Sequence, residues 1–328
     1  MRNTIARAEG QSDIGWTNEL DLDSARLSAR YRDRKHNLRM ELEGEMAGRR
    51  VAVRDAYIRW QPRSFARLQV GRFKKPISAI ALASRWDIPV IERGLLTDLE
   101  VGNELTDEAD ELPVGGRDYG LLVRLRAPHP SKPTLILAVF RSVVHEQLED
   151  SLGEPPLSWS QGFPEDAYAR FEIEPRDGIE LGATLLWMGR LEVAGTRDTF
   201  GHGVVGSVDA ALTLGPLSLW LETFVGHTPI HLGITLRAQG FFHAHRGIAA
   251  VRLDLPRGPL RYLEPFASAS YLDTSSALDE DTAWEARGGM NIGLTKDFRI
   301  QLEYEHRRLE NFLTGGGSRF MMQAGAVF

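Results

Sequence analysis

Between Phe298 and His306 the chain alternates: Phe298, Ile300, Leu302, Tyr304 and His306 fall on one side, and Arg299, Gln301, Glu303, Glu305 and Arg307 on the other. A period of two over that length predicts a β-strand with one apolar and one charged face. The same alternation recurs in Leu38/Met40/Leu42, Ala66/Leu68/Val70, Ile179/Leu181/Ala183/Leu185/Trp187 and Leu217/Leu219/Leu221. Tyr119/Leu121/Val123/Leu125 stand against Arg124 and Arg126, and Trp284/Ala286/Gly288/Met290/Ile292/Leu294 against Glu285, Arg287 and Asn291. No window of comparable length carries a helical stripe, so the fold class is all-β.

A soluble sandwich alternates too, and the connections discriminate better. Counting back from Phe328, very short links (Thr295–Asp297, Pro256–Pro259, Leu214–Pro216, Pro175–Gly178, Pro128–Lys132) alternate with long ones. The long ones are Leu309–Arg319, Asp273–Thr282, Gly226–Arg246, Met188–Gly203, Ser142–Asp166 and Lys74–Gly116. Short turns at one end and long loops at the other fit a transmembrane antiparallel β-barrel. Strands are expected at Ala25–Tyr31, Leu38–Met46, Val51–Gln61 and Phe65–Phe73. A weaker first strand near 11–20 restores the parity that a periplasmic N-terminus requires and brings the total to about 16. The reading is one barrel domain over 1–328, with a loop at 74–116 after the fifth strand.

Asp55-Ala56-Tyr57-Ile58, then Val70-Gly71-Arg72-Phe73-Lys74-Lys75-Pro76, then Ser84 and Pro89-Val90-Ile91-Glu92-Arg93 form an ordered block. That block resembles the phosphate-selective porin O and P family of Gram-negative outer membranes. The resemblance implies an outer-membrane location and a loop that folds back into the lumen as a constriction. It further implies a homotrimer and passive diffusion of small hydrophilic solutes, anions such as phosphate among them. The alternating Phe320, Met322, Ala324, Ala326 and Phe328 resemble the C-terminal signal read by the outer-membrane insertion machinery, with Phe320 and Phe328 as its aromatic marks.

Composition narrows this further. Hydrophobic residues make up 42% and charged residues 26% of the chain, which excludes disorder. No apolar run reaches the length of a membrane-spanning helix, so a membrane would be crossed by strands. The absence of cysteine removes disulfides, thiolate metal sites and Cys nucleophiles. A net charge of -6 argues against a general nucleic-acid partner. Met1 to Ile5 lack an apolar secretory core, so the chain is read as a processed or re-engineered mature form. Trp60, Trp187, Trp220 and Trp284 stand near strand ends, where an interfacial aromatic girdle would need them.

Candidate site residues follow from the long loop. Arg72, Lys74, Lys75, Arg85 and Arg93 are expected to form an anion-attracting constriction, with Arg67, Arg124 and Arg126 on the lumen wall and Asp55 and Glu92 shaping the loop. Guanidinium forks suit oxyanions and Lys acts as a point charge. The alternative is that these cations pair with wall carboxylates or point outward to lipopolysaccharide phosphates. Seven carboxylates between Asp98 and Glu111 form a solvated acidic face or a divalent-cation or cation-favouring vestibule. Gly201 to Gly206 matches a dinucleotide glycine pattern without the helix it needs, and His243-Ala244-His245 lacks a third ligand. No catalytic, metal or cofactor site is expected, and the partners are outer-membrane lipid, lipopolysaccharide and small solutes. A loop-plugged barrel serving as a surface scaffold and a soluble all-β glycan-binding domain are the alternatives.

Overall fold

The computed structural model describes residues 2–8, 15–19, 25–47, 50–84, 86–91, 95, 116–141, 165–192, 200–232, 236–255, 258–273, 282–295, 297–309 and 317–326. Its strands are β1 (Arg2–Ala8), β2 (Gly15–Glu19), β3 (Ala25–Asp33), β4 (Leu38–Ala47), β5 (Arg50–Arg63), β6 (Ala66–Lys74), β7 (Arg117–Arg126), β8 (Thr134–Arg141) and β9 (Glu165–Arg176). They continue as β10 (Ile179–Glu192), β11 (Phe200–Leu214), β12 (Leu217–Leu232), β13 (Leu236–Val251), β14 (Leu253–Asp254), β15 (Tyr262–Asp273), β16 (Thr282–Gly293), β17 (Phe298–Leu309) and β18 (Gly317–Ala326). A single helical turn, α1 (Ala79–Leu82), lies between β6 and β7.

All 18 strands belong to one sheet. Consecutive strands pair antiparallel from β3 onward, and β13 and β14 both pair with β15 as one interrupted strand, so 18 less one leaves 17 rows. The last strand pairs with the first through Ile5↔Phe320, and β1 pairs with β2. An odd number of rows cannot alternate all the way round a ring. Among the described residues no register joins β2 to β3, which run in the same direction, and the alternation breaks there. The expected strand near 11–20 is β2, and β1 is an additional strand.

The two faces are inverted relative to a soluble protein. Leu185 is 56% exposed while its neighbour Leu186 is fully buried, and Leu121, Leu137, Val208, Leu221 and Tyr304 are exposed. Asp166, Arg170, Asp209, Glu222, Arg246, Glu285 and Glu303 are buried. An outward apolar wall around a polar interior is the pattern of a transmembrane barrel. Trp60, Trp187 and Trp284 stand exposed on that wall. Trp220 does not, because it packs inward against the cluster of Ile80, Ile88, Val90, Ile248 and Phe266.

The expected long loop at Gly226–Arg246 is largely strand, with the β12–β13 ladder running on to Leu232↔Leu236. Gly226, Thr228 and Pro229 stand inside that ladder. Gly226 serves packing instead, since a Cβ there would lie 2.8 Å from the Phe242 ring. In the same way Met188–Gly203 shrinks, as β10 extends to Glu192 and β11 begins at Phe200.

A second packing glycine yields a test. On the inner face of β16, a Cβ on Gly289 would stand 2.2 Å from the Leu302 carbonyl oxygen and 2.4 Å from the Phe266 ring, whereas Gly288 on the outer face has its nearest neighbour at 3.9 Å. Gly289→Val is expected to destabilise the barrel by about 1–3 kcal/mol through overpacking, and Gly288→Val to leave it nearly unchanged. The temperature at which each variant loses its folded migration on an unboiled detergent gel measures the difference.

Candidate functional site

The chain leaves β6 at Lys74 and returns at Arg117, and the neck is closed by the Lys75 amide donating to the Gly116 carbonyl at 2.9 Å. The Lys75 side chain is buried and donates to Asp166 at 2.8 Å, with Asp118 3.8 Å away. Lys74 donates to the carbonyls of Ala81, Leu82 and Ala83 at 3.0, 3.0 and 2.6 Å. A cation on the free carbonyls of a helical end is favourable, so Lys74 stabilises α1. At the other end Ser78 accepts from the Ala81 amide at 3.0 Å and Asp209 from the Ala79 amide at 3.1 Å.

From there the loop is fastened to the wall in two places. At the first, the Ile77 carbonyl accepts from Ser207 at 2.8 Å, Thr184 at 2.9 Å and Arg170 at 3.3 Å. Arg170 is itself held by Asp209 through two hydrogen bonds of 2.5 and 2.9 Å. At the second, Arg299 donates to the Trp86 carbonyl at 2.7 Å with its guanidinium 4.5 Å from the Trp86 ring centre. Asn291 and Gln301 donate to the Pro89 carbonyl at 2.9 and 3.1 Å, and the Ile91 amide donates to Glu303 at 2.6 Å. Charged hydrogen bonds to backbone in a water-poor setting are the strong ones.

Apolar contact fills in between these clamps. Ile77 and Ala81 pack with Phe73, Phe140, Tyr168, Leu186, Phe224 and Phe242, while Ile80, Ile88 and Val90 pack with Ile248, Ala250 and Phe266. Each large aliphatic side chain buried this way contributes about 1.5–3 kcal/mol. Residues 77–84 and 86–91 therefore leave β6 and lie along the wall from β8 past β11 to β17.

The strands that the described loop residues leave uncovered carry accessible inward groups. Arg39, Arg124 and Arg126 have side chains 39%, 31% and 45% exposed, against 3% for Arg170 and 1% for Arg287. Arg39 stands opposite Arg59, and Arg67 opposite Arg124, in the sheet register. These arginines are only partly compensated. Arg39 reaches Glu41 at 2.5 Å, Arg124 reaches Glu172 at 3.0 Å and Arg126 lies 4.0 Å from Glu174. Arg59 donates to neutral Gln69 at 2.9 Å, and Arg67 Nε has no hydrogen-bond partner among the described residues.

The residues singled out from sequence thus separate. Arg67, Arg124 and Arg126 line the inside. Lys74 and Lys75 are engaged in holding the loop, as is Asp55, which accepts from Arg117 at 3.1 Å beside the neck. Arg72 stands on the outer face, because Phe73 occupies the inward position, 5.0 Å ring to ring from Phe140. Arg85, Glu92, Arg93, Phe328 and the acidic run 98–111 lie outside the described residues, and Phe320 is exposed on the outer face of β18. Gly201–Gly206 belongs to β11. The rings of His243 and His245 face outward 5.4 Å apart, and no group of three or more metal-ligating side chains occurs among the described residues. The clamp residues Arg170, Thr184, Ser207, Asp209, Asn291 and Arg299 were not anticipated. Their one visible mark was a polar residue at an inward position.

Comparison with known proteins agrees with this architecture. The family model described as phosphate-selective porin O and P matches residues 8–115. No curated protein matches the chain. Among solved structures, a complex of Salmonella typhi OmpF with daunomycin superposes with a TM-score of 0.66 at 11% identity, covering 99% of this chain and 95% of that one. The outer membrane channel DcaP of Acinetobacter baumannii gives 0.64 at 13% identity, covering 100% and 94%. An anion-selective porin from Comamonas acidovorans gives 0.58 at 12%, covering 100% and 97%. The expected Gram-negative outer-membrane setting stands with these findings, which point to a channel rather than an enzyme. Over residues 8–115 the chain is similar in sequence to the phosphate-selective porin O and P family, and along its whole length it has the fold of an outer-membrane porin barrel.

Proposed function

We propose that this protein is an outer-membrane pore for passive diffusion of small hydrophilic solutes, with a preference for anions such as phosphate. The observation that carries the reading is the uneven lining of the lumen. The described part of the clamped loop covers the wall from β8 to β17; Arg39, Arg124 and Arg126 stay accessible on β4 and β7 beside the partly buried Arg59 and Arg67, whereas Arg307 on β17, 31% exposed, is paired with Glu285. Fixed charge beside a narrowed aqueous path acts at short range and selects ions by sign. Guanidinium groups also offer planar paired donors to oxyanions. The constriction is accordingly assigned to this wall facing the loop, with Lys74 and Lys75 maintaining the shape of the loop. A homotrimer, as the family resemblance implies, is part of the reading.

The reversal potential of purified protein in a planar bilayer under a potassium chloride gradient tests it. Chloride-selective channels are the expected result; potassium selectivity would overturn the anion preference, and silence from inserted protein would favour a plugged scaffold. Replacing Arg59, Arg67 and Arg124 together by Gln is expected to move the reversal potential toward cation preference while the barrel still folds. Lys75→Gln is expected to behave differently. It leaves Asp166 and Asp118 buried without their cation, so a loss of about 3–5 kcal/mol in stability, read as a lower unfolding temperature, should exceed any change in selectivity.

A further inference from the structure

An arginine on a membrane-facing wall is costly unless it meets an anion or water, and Arg72 is such a residue. Its neighbours on the outer face are apolar or aromatic: Val70 is 50% and Tyr119 56% exposed. Its guanidinium lies 5.9 Å from the Tyr119 ring centre, and Nε donates to the Val53 carbonyl at 3.0 Å. Beyond that bond Arg72 has no hydrogen-bond partner among the described residues, so the two Nη groups keep their donors.

Beside it lies a groove. Arg72 is directly opposite Ala56 in the β5–β6 register. Ala56 lines an open outer-wall cavity of about 600 Å³ together with Tyr31, Met40, Leu42, Ile58 and Val70. The short β5–β6 turn marks the periplasmic end of these strands, so β6 rises toward the long-loop end and Arg72 stands above Val70, near the outer rim. A guanidinium at the rim over an apolar trough has the charge and shape of a seat for a phosphorylated lipid.

We infer that Arg72 and this groove bind one phosphorylated lipid of the outer leaflet, with the phosphate on the guanidinium and an acyl chain along Ala56 and Leu42. Planar donors pair with phosphate oxygens in two hydrogen bonds, and Tyr119 flanks the headgroup as interfacial aromatics do. The inference rests on the membrane-facing wall and is independent of whether the lumen conducts.

The test uses the full-length protein in detergent micelles, with binding of diphosphoryl lipid A followed by native mass spectrometry. Wild type is expected to bind, Arg72→Gln and Ala56→Leu each to bind about tenfold more weakly, and dephosphorylated lipid A to bind as weakly as the variants. Both variants are expected to keep folded gel migration and the wild-type reversal potential, since neither side chain faces the lumen. Equal binding by wild type and Arg72→Gln would overturn the inference, as would equal binding of the dephosphorylated lipid. Displacement by inorganic phosphate together with full binding by Ala56→Leu would also overturn it, by reducing the site to a surface charge. Loss of conductance in wild type would defeat the pore reading and leave this result standing.

Discussion

Backbone amides and carbonyls that face hydrocarbon cannot borrow hydrogen bonds from water, and everything in this structure depends on that constraint. From β4 to β18 each row of strands gives its donors and acceptors to a neighbour on either side, and the last strand turns to the first, which pairs on to β2. Once the sheet is committed to that arrangement, side chains have only two destinations. Those pointing out must tolerate lipid, and those pointing in share a confined polar space. Leu185 and Leu186, adjacent in the chain, go to opposite sides for different reasons. Leu185 meets the membrane, and Leu186 is buried under the loop that folds inside.

The interior then has its own difficulty, because charged groups facing one another in a narrow lumen need partners. The protein meets it in two ways. Over β9 to β17 acids and bases neutralise each other in buried sets, Arg170 with Asp209 and Arg287 with Glu285 and Glu303, and spare donors reach the loop backbone. Over β4 to β7 Arg54 and Arg117 are buried against Glu45 and Asp55, while Arg39, Arg124 and Arg126 remain in contact with solvent. In the proposed reading, stability and selectivity belong to different parts of the wall. Removing one member of a buried pair leaves an uncompensated charge, whereas removing a solvated arginine alters the field along the path.

The loop shows the same economy of means at the level of the backbone. Its carbonyls at Ile77, Trp86 and Pro89 and its amides at Ala79 and Ile91 have no strand to pair with, and wall side chains take that role. An irregular segment at membrane depth is tolerated only where protein or water satisfies it. Fixing it at Ile77 and again at Trp86 to Ile91 gives this part of the loop a defined course.

Much of this was determined by the sequence alone. Period-two alternation gave the strands, because side-chain direction in a sheet depends only on position parity, and the contrast of short and long links gave the barrel. The bounds expected for β3 to β6 and the start of the long loop at Lys74 agree with the structure to within a few residues. What parity could not supply was partnership. Lys75 looked like a pore cation and proved to be buried against Asp166, 91 positions away; Arg170 and Asp209 carried no local mark of the loop they hold. Arg72 and Phe73 could each have faced inward, and the fit of Phe73 against Phe140 decided it. Those choices depend on which distant strands the sheet brings together, and only the tertiary structure contains that information.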